Sequence, residues 1–521
     1  MSDNASIKAP DSTTDWGPFG APIFKDPSAR ALSRVGVIDV GSNSVRLVVF
    51  DGAARSPAYF YNEKILCGLG ANLAETGRLH PEGRQRALSA IKRFTLLADR
   101  LDVSPLTTVA TAAVREATDG PDFCRDVLAE TGLNLWVIDG EEEARLSAQG
   151  VLLGWPEANG LVCDIGGASM ELAEVSNGVV GKRITSALGP LKLKNMKGGK
   201  KARAKYIREV IAELRQHMGG KYKRIYLVGG SWRAFARADM ERRHYPLPVL
   251  HEYRMSPKSV TKTATWIKER SLEDIQAATG NSAARLALVP IASVVLKQLV
   301  RQFGPKEIAI SSYGIREGML YEQMPAKLRR RDPLVEASRF AEDKDARIPG
   351  FGRALFEFLS PLFSTASPQR LRLIKAACLL HDVTWRAHPD FRAEVCFDNA
   401  TRANLGGLAH DERVWLGLAL LHRYKNSRDD SRFAPMFSLL TDKQIRDAEV
   451  VGKAMRFGAM LSGEAPETLA ELRYRPRKKQ LSLRLQGSAA GLFGEVARAR
   501  FMSLGAALDC ETDIKSKGSK L

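Results

Sequence analysis

The sequence has few cysteines, and none sits in a recognisable motif. Six stand among 521 residues, at Cys67, Cys124, Cys163, Cys378, Cys396 and Cys510. No CxxC spacing occurs, which removes the common zinc and thioredoxin patterns. Several lie in apolar runs, so buried free thiols are expected, in a reducing and therefore cytoplasmic setting. Long apolar runs are scarce as well. The longest, Leu286 to Leu296, contains Pro290 and falls far short of the ~20 residues a spanning helix needs. Asp3 and Asp11 stand near the start without an apolar h-region, so no signal peptide is expected and no membrane partner. Acidic residues are in deficit. Asp and Glu total 59 against 78 Lys and Arg, a formal charge of +19 and a pI near 9.7. Such an excess concentrates polyanions, whether nucleic acid, anionic membrane or polyphosphorylated small molecules. No helix-turn-helix, zinc pattern or RNA-binding aromatic signature accompanies it, so nucleic acid is not the favoured partner.

What the chain does contain is a repeat. Residues 1 to 33, rich in Ser, Asp, Thr, Pro and Gly, read as a mobile tail. Beyond them, strand-like runs alternate with helical spacing, as at 81 to 101, which means α/β layers. Val37-Ile-Asp39-Val-Gly41-Ser42-Asn43-Ser44 recurs as Val162-Cys-Asp164-Ile-Gly166-Gly167-Ala168-Ser169. Each copy runs on into a second strand, so each predicts a β-hairpin whose turn carries Asp, Gly and Ser. Two such hairpins predict two homologous domains facing each other across a cleft.

The residue types in these turns point to phosphate. Glycine lets backbone amides approach a ligand closely, and several amides with a serine hydroxyl form an anion cradle. Gly41, Ser42, Asn43 and Ser44 supply one cradle, and Gly166, Gly167, Ala168 and Ser169 the other. Asp39 and Asp164 would repel phosphate unless a cation intervened, which implies Mg²⁺. Between the copies, Asp139-Gly-Glu-Glu-Glu143 places four acids after a strand. A helix N-terminus accounts for part of that cluster. Hydrolysis of a phosphoanhydride also needs a group to orient and deprotonate water, and one of these glutamates suits the task. Arg115 ends another strand, where it is either a phosphate clamp or a solvated cation. Gly229-Gly230 forms a third glycine turn between a strand and a helix.

At these residues the sequence resembles the exopolyphosphatase/guanosine pentaphosphate phosphatase (Ppx/GppA) family. The similarity rests on Asp39 to Ser44, Ala110 to Arg115, Glu142 to Arg145, and Asp164 to Ser169 with Glu171. The resemblance implies a duplicated actin-like (ribonuclease H-like) core of ATPase type. It implies hydrolysis of a terminal phosphoanhydride, with Glu143 as base and Arg115 as a catalytic residue that binds phosphate oxygens. Asp164, Glu171 and Asp39 would hold Mg²⁺, and Gly41, Ser42, Asn43, Ser44, Gly166, Gly167, Ser169 and Gly230 would bind phosphate. The chain departs from the family at Ala168, usually Gly, at Met170, usually Thr, and at Asp119, often Asn.

After residue 325 the pattern becomes helical. The expected division is a tail at 1–33, domain I at 34–146, domain II at 147–325, a helical domain at 326–465 and a small region at 466–521, with residues beyond Asp513 frayed. Leu379-Leu-His381-Asp382 resembles the HD pair of a degenerate, non-catalytic HD-like domain, because no second histidine stands upstream between Arg347 and Arg370. The family implies a homodimer. The expected substrate is inorganic polyphosphate, drawn by basic runs at Lys192 to Lys205, at Lys327 with Arg329 to Arg331, and at Arg473 to Lys479. The alternatives are pppGpp hydrolysis and an actin-like ATPase or kinase.

Overall fold

The computed structural model describes residues 34–51, 55–429, 431–463 and 465–516. The expected N-terminal tail lies outside them. Lobe I begins with β1 (Val35–Val40) and β2 (Ser44–Phe50), both almost wholly buried, as their apolar runs require. β3 (Tyr59–Leu66) follows as an alternating edge strand. α1 (Pro81–Arg100) buries Ala87, Ile91, Phe94 and Ala98, the face its spacing predicts, and Pro81 starts it where a missing N–H costs nothing. β4 (Leu106–Ala110), α2 (Gly120–Thr131) and β5 (Trp136–Val137) complete the layer. The strand order is β3-β2-β1-β4-β5, with β1 parallel to β4.

α3 (Gly140–Gly154) then leads into lobe II. There β6 (Gly160–Ile165), β7 (Met170–Ser176) and β8 (Val179–Ser186) repeat the antiparallel start. α4 (Gly199–Met218), β9 (Arg224–Val228), α5 (Gly230–Arg242), β10 (Arg254–Met255) and α6 (Pro257–Lys268) follow. α7 (Val289–Phe303), β11 (Glu307–Ile310) and α8 (Ile315–Gln323) end the lobe. The order β8-β7-β6-β9-β11 reproduces that of lobe I, with β6 parallel to β9 and β10 added at the edge. The duplication read from the two hairpins therefore extends through both sheets.

α3 and α8 lie between the inner faces of the two sheets. One core joins Val37, Val48 and Val109 of lobe I to Val162, Val175 and Val228 of lobe II through Leu146, Val151, Met319 and Leu320. The helices cross so closely that a methyl on Gly318 would stand 1.8 Å from the Leu146 carbonyl oxygen. Only glycine permits that approach. The expected boundary at 146/147 falls inside α3, a helix that serves both lobes. The segment Ala283–Phe303, which contains α7, is long and apolar enough to cross a membrane by length and mean hydropathy. Counting unbroken apolar residues missed it because the run stops at Lys297. Here its Ala292, Val295, Leu296 and Leu299 pack into the core of lobe II.

The chain from Pro333 to Leu461 is mostly helical, around a core that includes Phe397, Trp415 and Phe457. Strands β12 (Ala470–Arg475), β13 (Gln480–Leu485) and β14 (Glu511–Ser516) form a small sheet, with β13 and β14 parallel. The expectation of a frayed end from Asp513 is thus corrected as far as Ser516, because pairing with β13 satisfies that backbone. His381 is buried against the Cys378 carbonyl at 2.9 Å, and Asp382 is gripped by both nitrogens of an Arg347 fork at 2.7 and 2.6 Å. Arg55, 1% exposed, ties the region to the core by donating to the carbonyls of Leu153 at 2.6 Å and Arg331 at 3.0 Å.

Candidate active site

The two repeated turns close in the same way. The Gly41 amide donates to the Ser44 carbonyl at 3.0 Å, and the Gly166 amide donates to the Ser169 carbonyl at 3.0 Å. Those two amides are therefore committed to the hairpins and do not face a ligand. Among the described residues, the amides of Ser42, Asn43, Gly167 and Ala168 have no backbone acceptor. The turns face each other, since a methyl on Gly167 would come within 3.8 Å of the Ser42 Cβ. Gly189 backs the second turn, where any Cβ would stand 2.1 Å from the Ala168 carbonyl carbon.

Between the turns lies a cavity of about 190 Å³ that brings together Asp39, Gly41, Ser42, Glu143, Asp164, Gly166, Gly167 and Ser169. The expectation that Asp39 and Asp164 share one crevice with Glu143 is met. Other expected residues sit behind the wall or beside it. Glu171, 1% exposed, pairs across the strands with Asp164 and accepts from Thr185 Oγ1 at 3.0 Å. Arg115 Nη1 donates to the Ile138 carbonyl at 2.8 Å and stands 3.6 Å from Glu143. Asn43 is exposed and its carbonyl receives the amides of Cys67 and Gly68, while Ser44 has its carbonyl in the turn. Gly230 is replaced at the wall by Gly229, which holds φ 115° and would place a Cβ 2.5 Å from the Ile165 carbonyl oxygen. The third glycine turn thus reaches the cavity one position before the residue expected.

The carboxylates are electrostatically frustrated. Burial, then Glu171 and Asp164, push the Glu143 carboxyl well above its usual range, with Arg115 opposing. Burial and Asp164 raise Glu171 to about 8. Burial also raises Asp164 and Asp39, against the pull of Ser147 and Arg233 on the first and of Arg316 and Arg46 on the second. Glu143 Oε2 and Glu171 Oε2 are buried without a hydrogen-bond partner. Orphaned, mutually repelling carboxylates are a site that a cation would relieve. Among the described residues no three acidic, histidine or cysteine side chains converge as a ready-made metal cage. The buried carboxylates suit Mg²⁺ chemically, since that ion takes one or two carboxylates and completes its shell with water and phosphate oxygens.

Sequence reasoning missed Arg316, Ser147 and Ser312. Arg316 lines the cavity at the start of α8. Burial works against its charge, but Glu317, Asp39 and Asp164 hold its pKa up. A signal existed. Ser311-Ser-Tyr-Gly314-Ile-Arg316 follows β11 as Asp139-Gly-Glu-Glu-Glu143 follows β5, so the repeat carried one element further would have found it. Arg316 also belongs to a cationic group. Lys64 is depressed by burial and then by Arg285, Arg46, Arg233 and Arg316, and Arg46 is lowered to about 10 by burial, Arg316 and Arg233. Some residues of the basic runs singled out earlier are engaged locally. Arg329 holds the carbonyls of Met324 and Glu322, Arg331 pairs with Glu336, and Arg473 pairs with Glu471. Lys192 reaches the cleft mouth, 3.9 Å from Glu116.

Two matched lobes with facing glycine turns make this an actin-like fold. The chain belongs to the Ppx/GppA phosphatase family, whose model matches residues 48–327, and the model for the C-terminal part of exopolyphosphatase matches residues 346–511. Exopolyphosphatase 1 of Mycobacterium tuberculosis is 36% identical over 149 residues, which is 28% of this chain and 42% of that protein. The match therefore spans about two fifths of that relative's length. Retrograde regulation protein 2 of Saccharomyces cerevisiae is 24% identical, over 78% of this chain and 75% of its own. Among solved structures, an Aquifex aeolicus family member is 23% identical with a TM-score of 0.50, covering 56% of this chain and 97% of its own. An exopolyphosphatase from Cytophaga hutchinsonii is 22% identical with a TM-score of 0.51, covering 56% and 98%.

Proposed function

We propose that the chain is an exopolyphosphatase, a phosphoanhydride hydrolase that removes terminal phosphate from inorganic polyphosphate. The observation that carries this is Glu143, buried at the cavity wall with an unpartnered Oε2 between two amide-lined turns. Water attacks the terminal phosphorus, the bridging P–O bond breaks, and orthophosphate leaves with the shortened chain behind it. Glu143 takes the proton from that water, as a carboxylate positioned beside it can. The free amides of Ser42, Asn43, Gly167 and Ala168 hold phosphate oxygens. Arg316 and Arg233 counter charge as it develops, and phosphoryl transfer is mostly such positioning and neutralisation. Asp164, Glu171 and Asp39 would hold Mg²⁺, directly or through water, and the cation would supply charge neutralisation between carboxylate and phosphate.

The cluster of Arg46, Lys64, Arg233, Arg285 and Arg316 supports a substrate with many negative charges. The exopolyphosphatase names among the relatives point the same way. Six free cysteines fit the expected reducing, cytoplasmic setting, and the homodimer belongs to the same proposal. The test compares phosphate release from long-chain polyphosphate, pppGpp and ATP, each with Mg²⁺ and with EDTA. Polyphosphate is expected to be turned over fastest, and only with Mg²⁺. Faster release from pppGpp or ATP would replace the substrate and keep the chemistry, whereas no phosphate release from any of the three would overturn both.

A further inference from the structure

Ser147 lies one helical turn after Glu143 on α3 and is completely buried. A serine inside a helix commonly returns its hydroxyl to the carbonyl four residues back. Here it leaves its own helix and donates to Asp164 Oδ2, near the end of β6. The other carboxylate oxygen, Oδ1, lies toward the cavity wall, where a methyl on Gly229 would stand 3.2 Å from it. One oxygen of Asp164 is thus held by Ser147, and the other lies beside Gly229, a residue that lines the cavity with Asp164.

We infer that Ser147 is a positioning residue for the divalent cation, fixing the Asp164 carboxylate so that Oδ1 is presented to the metal. The inference rests on the cation reading above. Asp164 stands among the carboxyl groups of Asp39, Glu143 and Glu171, and the Ser147 hydroxyl is the side-chain donor that bonds it. That bond fixes its orientation. Because Ser147 and Glu143 share α3, one rigid helix sets both the base and the metal carboxylate, and their separation stays constant if the lobes move. Groups that orient metal ligands typically govern metal affinity by ~10–100-fold.

The test is a calorimetric titration of Mg²⁺ into the full-length protein without substrate, for the parent, Ser147→Ala and Ser147→Cys. Ser147→Ala is expected to weaken Mg²⁺ binding ~10–100-fold. Ser147→Cys, of similar size with a weaker donor, is expected to fall between. Phosphate release by both variants should recover as Mg²⁺ is raised, which separates lost affinity from lost chemistry. Equal affinity for parent and folded variants would overturn the inference, whatever happens to turnover. If circular dichroism shows Ser147→Ala unfolded, the Ser147→Cys titration decides alone. A parent that binds no Mg²⁺ would overturn the cation reading itself, a result distinct from a parent and variant that bind alike.

Discussion

The Arg115 guanidinium stops 3.6 Å from Glu143 Oε2, near enough to lower its pKa and too far to bond it. The glutamate is therefore steered by a cation yet left free to take a proton. Activity should rise with pH as Glu143 ionises, with an acid limb well above the usual carboxylate range. Removing a cation that favours the charged form raises the pKa further. Arg115→Ala should move the limb of the kcat/KM profile to higher pH, both proteins being measured at the same saturating Mg²⁺. An unmoved limb would remove Arg115 from that role.

Buried carboxylates of like charge cost stability. Glu171 sits at about 8 in the folded protein against 4.5 ordinarily, and Glu143 is raised in the same direction. A raised acid favours folding below its unfolded pKa, and that contribution is lost as pH rises through the folded pKa. Glu143→Gln should therefore raise Tm in EDTA, by about 2–4 °C for each ~1 kcal/mol relieved. The gain should be larger at pH 8 than at pH 5. Scanning calorimetry at both pH values checks the sign.

Gly189 is the floor beneath the second turn. A Cβ there would lie 2.1 Å from Ala168 C and 2.4 Å from the Gly167 carbonyl oxygen. Backbone cannot yield as a side chain does, so Gly189→Ala should cost about 1–3 kcal/mol and displace the free amides of Gly167 and Ala168. Phosphate release should fall at least ~10-fold, since about 1.4 kcal/mol of misplaced binding is already that much. Denaturant unfolding and steady-state kinetics read the two effects.

The helical domain should behave differently. The Asp382 side chain, 6% exposed, is held by the Arg347 fork, so Asp382→Asn should lower stability by about 1–3 kcal/mol. Phosphate release should stay within about twofold, because this pair lies outside the cavity lining. A large loss of turnover with unchanged Tm would give the domain a catalytic part.

The hairpins were legible because strand, turn and strand are local, and because they occur twice. What the sequence hid is how the copies diverged. Asp39 faces Arg46 across β1 and β2, whereas the equivalent Asp164 faces Glu171 across β6 and β7. The register is the same in both hairpins, so one lobe contributes a cation and the other a second carboxylate because Arg46 and Glu171 stand at equivalent positions. Arg316 escaped notice because its charge matters only once α8 is laid beside α3. The basic runs show the converse. Arg329, Arg331 and Arg473 stand in runs of basic residues, but local carbonyls and carboxylates take their charges. Arg46, Lys64, Arg233, Arg285 and Arg316 are scattered along the chain and are brought together by the fold.

The most direct measurement is phosphate release from long-chain polyphosphate at saturating Mg²⁺ by the parent and by Glu143→Gln, each shown folded by its Tm. Loss of a general base predicts a fall in kcat of at least ~10² with Tm unchanged or higher. A folded Glu143→Gln protein that turns over within about threefold of the parent would contradict the assignment of Glu143 as the base.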